Sequence, residues 1–222
     1  MRVLVKYKKS GSAVYISHLD LQRTMHRVLR RSRLPIKYTM GFHPHVAMTF
    51  ALPLSVAVAS RGDYMEFQVL EYIPPLDIKN AINASMPDGL YALDCGYLPN
   101  ETPSLMSLVR QSSWEIKIDN MSHQQLAAAV LAALEAPSLP VRKEVKGRER
   151  EVDIKSGVYA LEAPEGGRAV LKALLRSGSR DNVSPQLLLQ AMGIDPRYVE
   201  MERLDIFYEK NGIHYPLINL CR

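Results

Sequence analysis

The stretch SHLDLQRTMHRVLRRSR, residues 17–33, decides how the first half of this 222-residue chain is interpreted. Ser17, followed three residues later by Asp20, resembles a capping box. We therefore expect a helix that runs to about Arg33 and ends before Pro35. At 100° per residue this helix has one apolar face, formed by Leu21, Met25, Val28 and Leu29.

The opposite face of the same helix carries only positive charge. Its members are Arg23, Arg27, Arg30 and Arg31. Asp20 is the one acid among residues 1–50, which hold ten Lys and Arg and therefore a formal charge of +9. Solvated helix faces usually mix both signs, so we interpret the four arginines as an anion-binding surface, with an ordinary solvated face as the alternative. Residues 51–222 hold 18 basic and 22 acidic residues, a charge of −4, so the total of +5 hides a basic first quarter.

Strand and helix patterns on either side of the basic helix give a fold class. The first half reads strand, helix, strand, strand, helix, strand, over residues 2–7, 17–33, 46–54, 64–69, 76–84 and 90–97. The second half repeats this order, with strands or helices over residues 114–118, 122–134, 141–145, 151–154, 169–175, 184–193 and 199–208. We predict an α+β protein of two tandem ferredoxin-like units with antiparallel sheets, residues 1–104 and 105–222.

Further basic residues extend the predicted surface. Lys37 follows the helix, and Lys6, Lys8 and Lys9 lie on the first strand. Tyr7, Tyr15 and Tyr38 are candidates for stacking on bases, although packing at the edge of the core is the simpler expectation. A second, weaker basic cluster lies on the predicted hairpin, with Lys146 and Gly147 as its turn. Its members are Arg142, Lys143, Lys146, Arg148 and Arg150, mixed with Glu144 and Glu149.

The most distinctive short motif is Gly-Phe-His-Pro-His, residues 41–45. One interpretation is metal binding by His43 and His45, with His18 or Asp20 as a third ligand, but no acidic cluster completes such a site. A second is acid–base cleavage of RNA by His18, His43 or His45 beside cationic groups. The third, which we favour, is a structural loop in which His43 contacts phosphate without chemistry.

Several classes of protein are excluded by what the sequence lacks. Cys95 and Cys221, the only cysteines, are too few for a four-thiolate zinc site or an iron–sulfur cluster. No phosphate-binding glycine loop, dinucleotide fingerprint or nucleophile elbow is present. No apolar run approaches the roughly 20 residues of a membrane span, and no signal peptide is evident at the N-terminus, so we expect a cytoplasmic protein without membrane contact and without a cofactor of its own.

The motifs of the first quarter also carry a family resemblance. The segments Ser17 to Leu21, Arg27 to Arg30, Leu34-Pro35 and Gly41 to Pro44 resemble the bacterial radical-SAM-linked proteins, a family of unknown function. Residues 51–56, 63–66 and 147–154 continue the likeness. The resemblance implies a cobalamin-binding radical S-adenosylmethionine (SAM) protein as partner, fused or encoded nearby, and proximity to ribosome and ribonuclease genes. The family usually has Arg where this chain has His45.

These observations lead to one leading hypothesis and two alternatives. We expect a non-catalytic, RNA-binding accessory protein that presents ribosomal RNA or tRNA to a radical SAM enzyme. Its phosphate contacts would come from Arg23, Arg27, Arg30, Arg31, Lys37 and His43. The alternatives are a metal-independent endoribonuclease that uses His43 and His45, and a protein-interaction module that binds no nucleic acid.

Overall fold

The computed structural model describes residues 1–145, 148–178 and 181–221. The described chain is mixed α+β, and all of its strand pairs with a defined register are antiparallel. Two compact units result, residues 1–109 with 205–222 and residues 110–204. The domain boundary after residue 104 stays a prediction. None of the helices in the described ranges has the length and apolar character that a membrane span requires.

In the first unit the elements follow the predicted order. Its strands are β1 (Arg2–Lys9), β2 (Met48–Phe50), β3 (Ala59–Gln68) and β4 (Leu90–Leu98), and its helices are α1 (His18–Arg31), α2 (Pro75–Asn83) and α3 (Leu105–Leu108). The sheet has the order β4-β1-β3, with β2 paired to β3. The apolar stretch expected as a strand over 46–54 is paired with β3 over only three residues, and Val46 instead meets Tyr38 at an isolated bridge.

Both faces of the β1–β3 region are buried. Val3, Val5 and Tyr7 of β1 pack in one cluster with α1 and α2, while Leu4 packs in another with Tyr64. Because successive side chains of a strand point to opposite faces, this pattern places the helices α1 and α2 on one face of the sheet. The other face is covered partly by α3 and by a 3-10 turn, Leu217–Leu220, whose Leu217 is fully buried.

The second unit repeats the order with an insertion. Its elements are β5 (Val109–Ile118), α4 (His123–Glu135), β6 (Pro140–Val145), β7 (Arg148–Asp153), β8 (Val158–Glu162), β9 (Ala169–Arg176) and α5 (Pro185–Ala191). The hairpin β6–β7 forms a separate two-stranded sheet, whereas β8, which the sequence did not predict, pairs with β9. The predicted turn at Lys146 and Gly147 lies outside the described residues.

Strand β10 (Val199–Lys210) begins in the second unit and ends in the first. It lies beside β5 in the former and pairs with β11 (Ile213–Pro216) in the latter. Buried polar residues help to hold β5, since the Ser112 hydroxyl lies 2.6 Å from that of Ser177 and accepts a hydrogen bond from the Trp114 indole at 2.7 Å. Strand β5 therefore includes the buried polar residues Gln111 and Ser112 and starts five residues before the predicted strand at 114.

Candidate nucleic-acid interface

Helix α1 begins and ends through identifiable local contacts. Ser17 is its N-cap, and the Ser17 hydroxyl accepts a hydrogen bond from the Asp20 amide at 3.1 Å. In a complete capping box the side chain of residue 20 would also accept a hydrogen bond from the Ser17 amide, and the described bonds do not include this contact. The Asp20 carboxylate instead accepts from the Ser17 hydroxyl at 2.8 Å, since Asp is shorter than the Glu or Gln of a capping box. The helix ends at Arg31, two residues early, because Arg33 adopts a left-handed conformation with φ of 58°.

The apolar face of α1 is confirmed. Leu21, Met25, Val28 and Leu29 are all 3% exposed or less. A helix whose buried side is fixed in this way must direct the opposite side away from the core. That opposite side carries the arginine face, by which we mean Arg23, Arg27, Arg30 and Arg31, and all four residues are exposed.

Members of the arginine face differ in their contacts. Arg23 forms a salt bridge of 3.0 Å with Asp20, and Arg31 donates a hydrogen bond of 2.7 Å to the Ser85 carbonyl. Arg27 and Arg30 form no hydrogen bond or salt bridge within the described parts of the chain. The pKa of Asp20 lies below its usual value, first because Ser17 donates to its carboxylate and then because Arg23 does. Asp20 is therefore ionised at neutral pH and competes with any anion for Arg23.

The lysines that were expected to extend this surface have different environments. Lys37 is exposed, and its amide donates to the Gln68 carbonyl at 2.8 Å. Lys9 is only 1% exposed, so its assignment to the surface was wrong. Lys6 forms a salt bridge of 2.6 Å with Asp205, and Lys8 is exposed beside the Tyr91 ring. Lysines on a strand usually indicate an exposed face, but this indication fails for Lys9 because both faces of β1 are buried.

The three tyrosines predicted to stack on bases also differ in their exposure. Tyr7 is buried at 1% exposure and packs edge-on against Phe50, with ring centroids 6.3 Å apart. Tyr15 and Tyr38 are 70% and 41% exposed. Only these two are accessible to a ligand.

Residues 39–45 form a closed loop beside α1. The Thr39 amide donates to the His45 carbonyl at 2.8 Å, and the His45 amide donates to the Thr39 hydroxyl at 3.1 Å. Gly41 permits the turn with φ of 134°, a value that favours glycine. Met40 and Phe42 are fully exposed at the tip, and His43 is exposed beside them.

The structure groups the histidines differently from the sequence interpretation. His45 meets His26 of α1, with ring centroids 6.3 Å apart, whereas His18 packs edge-on against Phe50 at 5.3 Å. Burial, followed by the charge of His45, lowers the pKa of His26, which favours its neutral form. His26 was not singled out from the sequence, because its spacing of eight residues from His18 places the two about 80° apart around the helix.

No group of three His, Cys, Asp or Glu in the described ranges could hold a metal ion. Cys95 and Cys221 are both free thiols. Burial, followed by the charge of Asp94, raises the pKa of Cys95 to about 11 and that of Cys221 to about 12. Neither thiol is therefore activated for chemistry or ligation at neutral pH.

A pocket of about 300 Å³ opens next to the loop. Its lining residues are Arg2, Thr39, His45, Ala47, Met48, Thr49, Glu66, Phe67 and Gln68. Of these, only His45 was a candidate from the sequence. Arg2 and Glu66 are 64 residues apart and meet through the pairing of β1 with β3, so no local pattern could have predicted their contact.

The second basic cluster lies on the hairpin β6–β7. Arg142 and Arg150 are exposed, and Arg142 stands opposite Glu151 in the register of the pair. Lys146 lies outside the described residues. Mixed charges across the two strands make this hairpin a weaker anion-binding surface than the arginine face.

Comparison with known proteins gives one family. A family model described as "Uncharacterized protein conserved in bacteria" (DUF2344) matches residues 2–185, a span that includes α1, the loop at 39–45 and the pocket. No curated protein matches the chain.

Proposed function

The chain belongs to this bacterial family, and we propose that it is a non-catalytic RNA-binding protein that assists a radical SAM enzyme. The observation that carries the proposal is the arginine face: four exposed guanidinium groups on the side of α1 opposite its buried residues. Clustered arginines of one sign are the usual electrostatic footprint of nucleic-acid binding.

Energetic considerations support an external anion for this face. Arg23 with Arg27, and Arg27 with Arg31, are like-charge neighbours four residues apart, each pair destabilising an isolated helix by about 0.2–0.5 kcal/mol. The face extends about 12 Å along the helix axis, at 1.5 Å per residue, which suits several successive phosphates. Arg27 and Arg30, without a partner in the described chain, are available to a phosphate at no loss of an internal contact.

The proposed partner follows from the resemblance and from the cysteines. Radical SAM chemistry needs an iron–sulfur cluster, and this chain has two cysteines with raised pKa values. We therefore assign the cluster to a separate cobalamin-binding polypeptide, and the present chain would hold its RNA substrate, ribosomal RNA or tRNA. Free thiols agree with the reducing cytoplasm as the proposed location.

We propose the finer fold assignment on the same footing. In the first unit the strands stand in the order β4-β1-β3-β2, and in the second β10-β5-β9-β8 occupy the corresponding places. Both orders are those of a ferredoxin-like unit, with the hairpin β6–β7 inserted into the second. Two tandem ferredoxin-like units therefore fit the strand order.

RNA binding can be tested by fluorescence anisotropy with a labelled single-stranded RNA across a range of salt concentrations. We expect measurable affinity at low salt for the wild-type chain. The double variant Arg27→Gln/Arg30→Gln should lower the affinity, and it should reduce the log–log salt slope by about 1.4–1.8, because each lost phosphate contact removes about 0.7–0.9 from that slope.

A matched control is Lys172→Gln/Lys210→Gln, which removes the same charge from two exposed residues of β9 and β10. We expect its salt slope to equal that of the wild type. No affinity at low salt, or equal losses in the two double variants, would contradict the proposal.

The two alternatives are separate outcomes of similar assays. RNA that is cleaved in the presence of EDTA, with cleavage lost in His43→Ala or His45→Ala, would establish the ribonuclease and overturn the non-catalytic assignment. Nuclease-resistant co-purification with the radical SAM protein that weakens in Arg27→Gln/Arg30→Gln, without RNA affinity, would establish the protein-interaction module instead.

A further inference from the structure

The pocket beside the loop at 39–45 lies mainly on the face of the sheet that α1 and α2 do not cover. Met65 and Phe67 of β3 pack with those helices, so the alternating residues Glu66 and Gln68 point to the other face. We propose that this pocket binds one unpaired nucleobase of the RNA. The inference rests on the proposed function, because it assigns a base-binding site to the RNA held by the arginine face.

Charge inside the pocket is internally balanced. Arg2 donates to one oxygen of Glu66 from Nη2 at 2.6 Å and from Nε at 3.1 Å. Two further N–H groups of Arg2 donate to the carbonyls of Thr102 and Pro103, the latter at 3.1 Å, so four of its five donors are used. With its guanidinium committed in this way, Arg2 is not available to a phosphate. A neutral polar ligand therefore fits the pocket better than an anion.

Hydrogen-bonding capacity remains on the neighbouring side chains. The Glu66 oxygen that faces Thr49 accepts one hydrogen bond, from the Thr49 hydroxyl at 3.0 Å, and keeps a second lone pair. The Gln68 amide has no hydrogen-bond partner in the described parts of the chain, so its two donors and its acceptor are unused. Glu66 and Gln68 are two residues apart on one strand and thus share a face, about 7 Å apart along the strand. This pairing of an acceptor with an amide matches the mixed donors and acceptors on the edge of a base.

Apolar residues also line the pocket. Met48 and Phe67 are among its lining residues, but both pack in the core cluster on the α1 side and are only 8% and 1% exposed, so they leave little side-chain surface to a ligand. A volume of about 300 Å³ is at the lower end of small-ligand sites and is sufficient for a single nucleoside.

The pocket is also connected to the arginine face. His45 lines the pocket, and its ring meets that of His26, which directly precedes Arg27 on α1. Among the described strands β2 pairs only with β3, so β2 lies at an edge of the sheet. An RNA strand that leaves α1 at His26 can pass over His45 and place its next base in the pocket.

The first test uses the variant Gln68→Leu, which removes the amide but keeps similar volume and the backbone bond to Lys37. We expect one of four labelled oligonucleotides (oligo-A, oligo-C, oligo-G or oligo-U) to bind the wild type about tenfold more tightly than the weakest, and Gln68→Leu to abolish that preference. Gln190→Leu, an exposed residue of α5, is the matched control and should keep it.

The second test is independent of RNA affinity. Free nucleosides are titrated into ¹⁵N-labelled protein, and the side-chain amide signals of Gln68 are followed by NMR. Saturable shifts of the Gln68 signals with one nucleoside, absent for Gln190, support the pocket even if the arginine face fails its own test. Unchanged Gln68 signals with all four nucleosides, or equal RNA binding by all four oligonucleotides and by Gln68→Leu, would overturn the pocket while leaving the arginine face intact.

Discussion

Helices α1 and α4 occupy equivalent places in their units, each following the first strand, yet their exposed faces differ completely. Both bury an apolar face: Met25 and Leu29 in α1, Leu126 and Ala133 in α4, all 5% exposed or less. The exposed side of α1 carries four arginines, whereas that of α4 is uncharged over Gln124, Ala128, Leu131 and Ala132. Packing therefore explains the buried side of both helices, whereas Arg27 and Arg30 of α1 form no hydrogen bond or salt bridge in the described parts of the chain that would explain them.

The first prediction tests whether the two buried faces are equivalent. Met25→Ala and Leu126→Ala should each lower the free energy of unfolding by about 2–5 kcal/mol, because each removes a fully buried side chain and leaves a cavity. Urea denaturation followed by circular dichroism measures the loss. The exposed controls Arg27→Ala and Gln124→Ala should stay within about 0.5 kcal/mol of the wild type. A loss below 1 kcal/mol for one helix alone would mean that it is not packed as described.

The second prediction tests whether RNA binding needs the arginines at their positions on α1 or needs only the same net charge anywhere on the chain. Residues 124, 128, 131 and 132 of α4 repeat the spacing of the arginine face, and all four are exposed. In a chain whose four α1 arginines are changed to Gln, arginines at these α4 positions restore the net charge. We expect RNA affinity to remain at least about tenfold below the wild type, since most of the specific contacts would still be missing. If this variant recovers the full RNA affinity of the wild type in the anisotropy assay, net charge alone would explain binding and the proposed site on α1 would be contradicted.

Sequence periodicity was sufficient for these helices because their faces depend on residues three and four apart. It predicted the buried residues of α1 and the end of α4 to within one residue, at Glu135. It failed where the outcome depends on distant partners. Lys9 is buried in a strand whose two faces are both covered by distant segments, and β8 exists because β9 supplies its hydrogen bonds. The pocket at Glu66 likewise needs β1, β2 and the loop, which no local pattern brings together.

The third prediction compares the two helix N-termini. Ser122 and Gln125 form the complete capping box of α4, with bonds of 3.3 and 2.8 Å, whereas Ser17 of α1 has only half of one. Ser17→Ala and Ser122→Ala should each destabilise the protein by about 1 kcal/mol, and Thr at either position should retain most of that stability. Gln125→Ala should add a loss in α4 that Asp20→Asn does not produce in α1. Equal losses in those two variants would show that both boxes are complete.

The fourth and smallest effect depends on pH and belongs to α1 alone. Burial, and to a lesser extent the charge of His45, lowers the pKa of His26 below that of the unfolded chain, which is about 6.5. The unfolded state therefore binds a proton at a higher pH than the native state does. It follows that the free energy of unfolding decreases as the pH falls from about 6.5 towards the lowered pKa of His26, and that the contribution is complete only above 6.5.

Urea denaturation at several pH values between 8 and 5 measures this slope. His26→Gln should reduce it, because no imidazole remains to be protonated at that position. His45→Gln should reduce it less, since burial, the larger cause, persists when the neighbouring charge is removed. If His45→Gln instead removes the whole difference, the charge of the loop histidine controls His26, and protonation of this pair would then act directly on the edge that joins the arginine face to the pocket.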